Sequence, residues 1–410
     1  MIQTITQRVI LFLIVFSTSL LQAQSETHAK ISQTALDNAK QEISRALEAG
    51  EIEGGMLLVH VAGEQVLLEI KGQHDPVDQL QFKEDSLLRI YSMAKPITSV
   101  TAMTLWEQGK FKLDDPVSKY IPAFVDTKVG VVQGGKLSRI DLVRPVTIRD
   151  LLSHTSGYSY SPAAGTPLGK EYHARGVFYS HQGMYPPKMN IQRAANALAE
   201  IPLHHQPGER WTYGLSVDII GALIEIWSGE PLQKYMNRAV LKPLGMKDTS
   251  FDIPKSKLDR LVSCLTWEGD RQVVIDKWNE SEYRRGFEFH GGGSGLVSTI
   301  GDYSRFSRML ANWGEFEKAR ILERETLEQM FTNQVRPDGG RSFGLGFEVE
   351  TVKVGQQILG SYGWGGYANT EFRVIPEAGV SMVFMRQTVP STHRMSRKLF
   401  GILKAGLSDN

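Results

Sequence analysis

Strand-forming runs stand at both ends of this chain and helical ones between them, and that order restricts the fold most. Near the N-terminus, Gly55-Met56-Leu57-Leu58-Val59-His60-Val61 and Gln65-Val66-Leu67-Leu68-Glu69-Ile70 flank Ala62-Gly63-Glu64, a hairpin pattern. Near the C-terminus, further runs fall at 344–352, 357–361, 370–375 and 380–385. Helical periodicity covers 30–49, where Ile31, Ala35, Ala39, Ile43 and Ala46 recur at three- and four-residue spacings. It returns at 93–108, at 217–227 before Gly229, and at 392–407. One sheet built from both termini satisfies this order, with helices 30–49 and 392–407 covering its faces. The expected class is α+β. An α/β part spans about 30–110 and 290–410, and a mostly helical subdomain, 111–289, is inserted between. Residues 25–410 then form a single unit.

Composition removes several function classes. The 410 residues are 41% apolar and 22% charged, enough for a core without covalent staples. Lys+Arg number 46 and Asp+Glu 45, so the net charge of +1 creates no field that would draw nucleic acid. The lone Cys264 excludes an internal disulfide and a Cys-rich zinc site, and reads as a small buried hydrophobe. No H-E-x-x-H occurs, nor any His/Cys cluster, so no metal is expected. The Gly-rich run 290–295 lacks both the P-loop lysine and the G-x-G-x-x-G spacing, so no nucleotide cofactor is expected either. Residues 1–24 carry Arg8, an apolar run at 9–16 and Ala23 near the end, the pattern of a secretory signal peptide. The run is short for a bilayer span. Cleavage predicts an exported protein, periplasmic or secreted, without stable membrane insertion; an uncleaved segment would anchor it.

Three segments carry candidate chemistry. Ser92-Met93-Ala94-Lys95 is the chain's one S-x-x-K. Residues three apart share a helix face, so Lys95 would set its amine beside the Ser92 hydroxyl and help activate it as a nucleophile. The same residues also describe a helix N-cap serine followed by an exposed lysine. Tyr213 stands before the helix at 217–227, and a nearby ammonium would stabilise its phenolate as a base. A core tyrosine under that helix fits too. In Tyr362-Gly363-Trp364-Gly365-Gly366-Tyr367 the glycines permit close approach of a backbone or a substrate, and their N–H groups suit an oxyanion. A bulge with a core tryptophan is the other reading. There is no G-x-S-x-G elbow.

In this order the three segments resemble the serine β-lactamase and penicillin-binding-protein superfamily. The similarity is greatest to its class C-like branch, which includes the family VIII carboxylesterases. Leu151 to Gly157, Gln206-Pro207-Gly208, Pro243 to Met246 and Gly295 to Thr299 look familial as well, and the likeness runs from about 35 to 400. The resemblance implies a β-lactamase-like fold, with an antiparallel sheet flanked by helices and the site between it and the helical part. It implies Ser92 as the acylated nucleophile, Lys95 and Tyr213 as the acid/base pair, the Ser92 and Tyr367 N–H groups as the oxyanion hole, and Trp364 lining the cleft beside Gly365 and Gly366. Two departures stand out. Leu215 occupies the Asn position of Tyr-x-Asn, and Trp364 stands where a cationic Lys begins the third motif. Both remove polar anchors for anionic amides and fit a neutral small-molecule ester. A lactamase or D-peptidase would need another cation, such as Arg386. A homologue that binds cell-wall material without turnover is a third reading. The aromatic segment 158–190, beginning at Tyr158, reads as a loop shaping the substrate pocket. His154 reads as a structural turn residue and His204-His205 as surface residues.

Overall fold

A computed structural model describes residues 29–160, 162–177, 189–286 and 288–408. The signal-like segment and Phe178, Tyr179 and Tyr185 of the aromatic segment lie outside the described residues. The elements that position the site are α1 (Gln33–Glu48), β1 (Gly54–Val61), β2 (Glu64–Asp75), β3 (Leu80–Gln81), α2 (Ala94–Glu107), α3 (Ser216–Ser228), α4 (Ile300–Ala311), β4 (Glu348–Val354), β5 (Gln357–Gly366), β6 (Thr370–Ile375), β7 (Val380–Met385) and α5 (Arg394–Ala405).

Seven strands form one antiparallel sheet in the order β4-β5-β6-β7-β1-β2-β3. Strands from the two chain ends meet at its centre, where Val380 to Met385 pair with Val61 to Met56. The chain termini close against each other too, Lys30–Ile31 pairing with Leu407–Ser408. This closure changes where the terminal helices go. Reading the sequence placed helices 30–49 and 392–407 over the sheet's faces, yet α1 and α5 share one face and pack on each other. Leu36 and Ile43 meet Leu399, Phe400 and Leu403 over Leu57, Val59, Met382 and Phe384. Paired ends hold both helices on the same side. Both faces of β1 and β7 are buried, so the opposite face needs a layer of its own. It is α4, whose Tyr303, Phe306 and Leu310 cover Leu58, Phe372 and Val383.

The inserted middle is less purely helical than its sequence suggested. Besides α3 and shorter helices at Ile148–Leu152, Pro167–Ala174 and Ile191–Ala199, it carries the hairpin Val129–Gln133/Lys136–Ile140. It also carries Cys264–Glu268 and Arg271–Asp276, a pair that Thr388–Val389 extends in parallel. Cys264 is buried, as expected of a small hydrophobe.

Arg89 ties this small sheet to the strand entering the site. It is fully buried, with Nη2 2.6 Å from Asp276 and 2.9 Å from Ser281 Oγ, while Nη1 donates to the Val262 carbonyl at 2.7 Å. Burying a guanidinium is tolerable only with such partners. Replacing Arg89 with Met strands the Asp276 charge, and urea unfolding should show a loss of about 3–5 kcal/mol. An unchanged midpoint would show that the pair contributes nothing net.

Candidate active site

Ser92 sits in a 3₁₀ turn, Tyr91–Met93, immediately before α2. Tyr91 is held at φ +45°, a strained conformation for a tyrosine, and it turns the next residue toward an open cleft of about 590 Å³. No side chain caps α2, so Ser92 is not the N-cap serine of the alternative reading. Nor is Lys95 exposed. It is 1% accessible beneath the cleft, and its Nζ donates to Ser92 Oγ at 3.2 Å, Tyr160 OH at 2.8 Å and the Gly293 carbonyl at 2.8 Å. Burial alone would push this ammonium's pKa down. Its interactions with Tyr160, Tyr213 and the Asp218 carboxylate outweigh burial, and the pKa is raised.

Tyr213 lies on the same cage. The Lys95 ammonium stands 4.9 Å from its ring centroid, the Tyr160 ring packs edge-on against it at 5.3 Å, and its hydroxyl accepts a hydrogen bond from Trp364 Nε1 at 3.2 Å. Tyr160 is the residue at Lys95 that sequence reasoning did not single out. It was one aromatic among several in a segment without periodicity, and only the fold brings its hydroxyl to Lys95.

Close backbone packing brings the third motif in. A Cβ on Gly366 would stand 2.4 Å from the Ile90 carbonyl oxygen, so a glycine is required for β5 to reach the Ser92 turn. Tyr367 follows it, its ring edge-on to Tyr91 at 5.8 Å. Ser92, Tyr160, Tyr213, Trp364, Gly365, Gly366 and Tyr367 all line the cleft.

Two expected substrate contacts lie elsewhere. Tyr158 is fully buried, edge-on to Phe124, and Leu215 is fully buried in the core. Neither lines the cleft. Tyr158 precedes the exposed part of its loop, and Leu215 turns inward as the residue before α3. Arg386 is no substitute for the missing lysine, because it is buried in an ion pair with Glu53.

The Gly-rich run also finds its place. A Cβ on Gly292 would stand 2.2 Å from the Val217 carbonyl oxygen, and Gly292 Cα lies 3.2 Å from the Cβ position of Gly221. Thr98 Oγ1 donates to the Gly292 carbonyl at 2.7 Å, and Gly293 N–H donates to Asp218 Oδ1 at 3.0 Å. The run thus threads between α2 and α3 and delivers the carbonyl that holds Lys95.

His154, at φ +57°, is fully buried edge-on to Trp211, Tyr213 and Phe343, and neither ring nitrogen has a hydrogen bond among the described residues. It supports Tyr213 from behind, a structural role as expected. His205, expected at the surface, is buried: Nδ1 faces the Gln206 carbonyl and Nε2 the Thr212 hydroxyl, each at 2.8 Å. That pins the approach to Tyr213. Among the described residues no His/Cys/Asp/Glu group suits a metal, and no helix is long and apolar enough to cross a membrane.

The family model for beta-lactamases matches residues 39–407. Protein Rv1367c of Mycobacterium tuberculosis is 29% identical over 374 residues, covering 87% of this chain and 90% of that protein. Esterase EstB of Burkholderia gladioli is 30% identical over 207 residues, 50% of this chain and 49% of its own. The solved structure of EstCE1, described as a hydrolase with promiscuous acyltransferase activity, superposes with a TM-score of 0.74 at 25% identity, covering 90% of this chain and 99% of that one. The β-lactamase-like fold is thereby shown.

Two outcomes follow from this geometry. Gly292→Ala should force α2 and α3 apart, costing about 1–3 kcal/mol in urea unfolding and slowing fluorophosphonate labelling of Ser92; unchanged labelling would remove the Gly-rich run from the site's architecture. Burial, reinforced by the Lys95 charge, holds the His154 imidazole well below its usual pKa. The unfolded chain takes that proton at about pH 6.5, so stability should fall as pH drops below that value. His154→Phe should flatten the dependence of the urea midpoint on pH between about 7 and 5.

Proposed function

The chain belongs to the beta-lactamase family, and from that premise we propose that it is a serine hydrolase of carboxylic esters, working through an acyl-enzyme on Ser92. The observation that carries this reading is the buried Lys95 ammonium, held at once on Ser92 Oγ and Tyr160 OH. A lysine so buried and so placed has a chemical task that an ordinary surface lysine lacks.

The base is the Lys95–Tyr160–Tyr213 set, and the proton belongs to that set rather than to one residue. As Ser92 Oγ bonds to the ester carbonyl carbon, its proton passes to that set. The carbonyl oxygen takes the negative charge and faces the N–H groups of Ser92 and Tyr367. The bond to the alcohol then breaks, and the alcohol oxygen takes the proton. Water repeats the sequence in reverse roles, releasing the acid and restoring Ser92.

The ester preference rests on Trp364. It presents an apolar ring where an anionic amide would need a cation, and its Nε1 is engaged with Tyr213. The names of EstB and EstCE1 point the same way, and the latter's acyltransferase activity favours an acceptor alcohol replacing water in some turnovers. Export is part of the proposal and rests on the sequence of residues 1–24.

Hydrolysis of p-nitrophenyl butyrate and of nitrocefin, measured side by side, tests this. The expected result is ester cleavage with little nitrocefin turnover. Ser92→Ala should lose at least about a thousandfold, and Tyr213→Phe and Tyr160→Phe about a hundredfold or more each in kcat/KM. Efficient nitrocefin cleavage would give the site to the lactamase or peptidase reading. No turnover of either, with unlabelled Ser92, would give it to the binding-module reading.

A further inference from the structure

The cleft that holds the nucleophile is also lined by a histidine that the acylation chemistry leaves unused. His393 directly precedes α5, at φ +52°, a conformation that a non-glycine residue holds only when its surroundings impose it. Asn369 imposes it. Its Oδ1 accepts the N–H groups of Thr392 at 2.9 Å and His393 at 3.0 Å, and its Nδ2 donates to the Thr388 carbonyl at 2.6 Å.

Held this way, the imidazole lies flat on Gly365. A Cβ there would stand 2.5 Å from Cε1 and 3.0 Å from Nε2, so Gly365 is the residue that makes room for the ring. Nδ1 is buried and lies 3.3 Å from Glu371 Oε2, with no hydrogen bond of its own among the described residues. Glu371 is itself buried, and its other contacts include Ser396 Oγ and the Arg373 guanidinium. Burial pushes its carboxyl upward, but His393 and Arg373 outweigh that and hold it ionised. A carboxylate only accepts hydrogen bonds, so of the two neutral tautomers the one with its proton on Nδ1 suits this neighbour. Nε2 is then a lone-pair acceptor. It has no hydrogen bond among the described residues, and the side chain, one-fifth exposed, lines the cleft.

The place matters. β4 pairs with β5 only as far as Glu348 with Gly363, so residues 364–366 run past it with one edge open. Gly366 at the end of that edge abuts Ile90, two residues before Ser92. A substrate acylating Ser92 therefore lies along this edge, in the cleft that His393 also lines. The geometry points to His393 as a specificity-determining residue whose Nε2 accepts a hydrogen bond from a hydroxyl group on the ester, with Glu371, Asn369 and Gly365 as positioning residues. This rests on the ester-hydrolase reading, and among neutral esters a hydroxyl is the donor that such an acceptor selects.

Paired esters that differ by one hydroxyl test it, followed by proton release: methyl β-hydroxybutyrate against methyl butyrate for the acyl side, and glycol monobutyrate against propyl butyrate for the alcohol side. The native chain should favour the hydroxylated member of one pair by at least about tenfold in kcat/KM. His393→Phe keeps a ring without the acceptor; it should bring that ratio to about one. His393→Gln, which restores an acceptor, should recover part of the preference. A ratio near one in the native chain overturns the assignment whether or not the variants fold, and so does a preference that His393→Phe leaves intact. Failure to cleave even the plain esters would instead overturn the ester-hydrolase reading, and this assignment with it.

Discussion

The burial of one ammonium group organises this molecule. Lys95 is 1% exposed, and a cation taken out of water must be surrounded by acceptors or it will not stay charged. Its acceptors come from separate parts of the chain: Ser92 from its own turn, Tyr160 from the inserted part, and the Gly293 carbonyl from the segment leading back to the sheet. Asp218 on α3 holds that last segment through the Gly293 N–H. A single side chain thus joins the two parts of the fold at the floor of the cleft.

Several features elsewhere follow from that requirement. Glycines at 292 and 221 let α2, α3 and the returning segment pass at backbone contact. Tyr91 holds a strained φ, and β5 ends in glycines that reach the Ser92 turn. Arg89 locks the strand just before it with a second fully buried cation, this one paired with Asp276. Around the cage, aromatic rings from His154, Trp211, Tyr213, Phe343 and Trp364 pack on one another, His154 edge-on and Trp211 stacked on Tyr213. They exclude water from one side of Lys95 and leave the Ser92 side open to the cleft. Polar contacts in so dry a setting are stronger than they would be in water.

What was legible in the sequence was local or periodic. The hairpin at 55–70, helix 93–108 and helix 217–227 stand within a few residues of their predicted bounds, because their apolar spacings are set by the same burial that forms them. The three candidate motifs were legible because each sets particular residue types at a fixed short spacing and they occur in one order along the chain, and the structure brings all three to one cleft. Tyr160 was not, since its partner is 65 residues away and nothing in its neighbourhood distinguishes it from Tyr158, which the fold buries instead. The Gly-rich run was visible, yet its use as a spacer between two helices needed both helices in place. The face chosen by α1 and α5 depended on the pairing of the chain ends, a contact between residues 30 and 408.

By itself the sequence determined the class of fold, the family and the identities of Ser92, Lys95, Tyr213 and Trp364, because periodicity and motif spacing are properties of neighbouring residues. Tertiary structure alone decided which tyrosine holds Lys95, which residues leave the cleft for the core, and that an imidazole on Glu371 stands over Gly365. Those outcomes depend on which distant groups must share the burial of one charge, and no local pattern of residues records that.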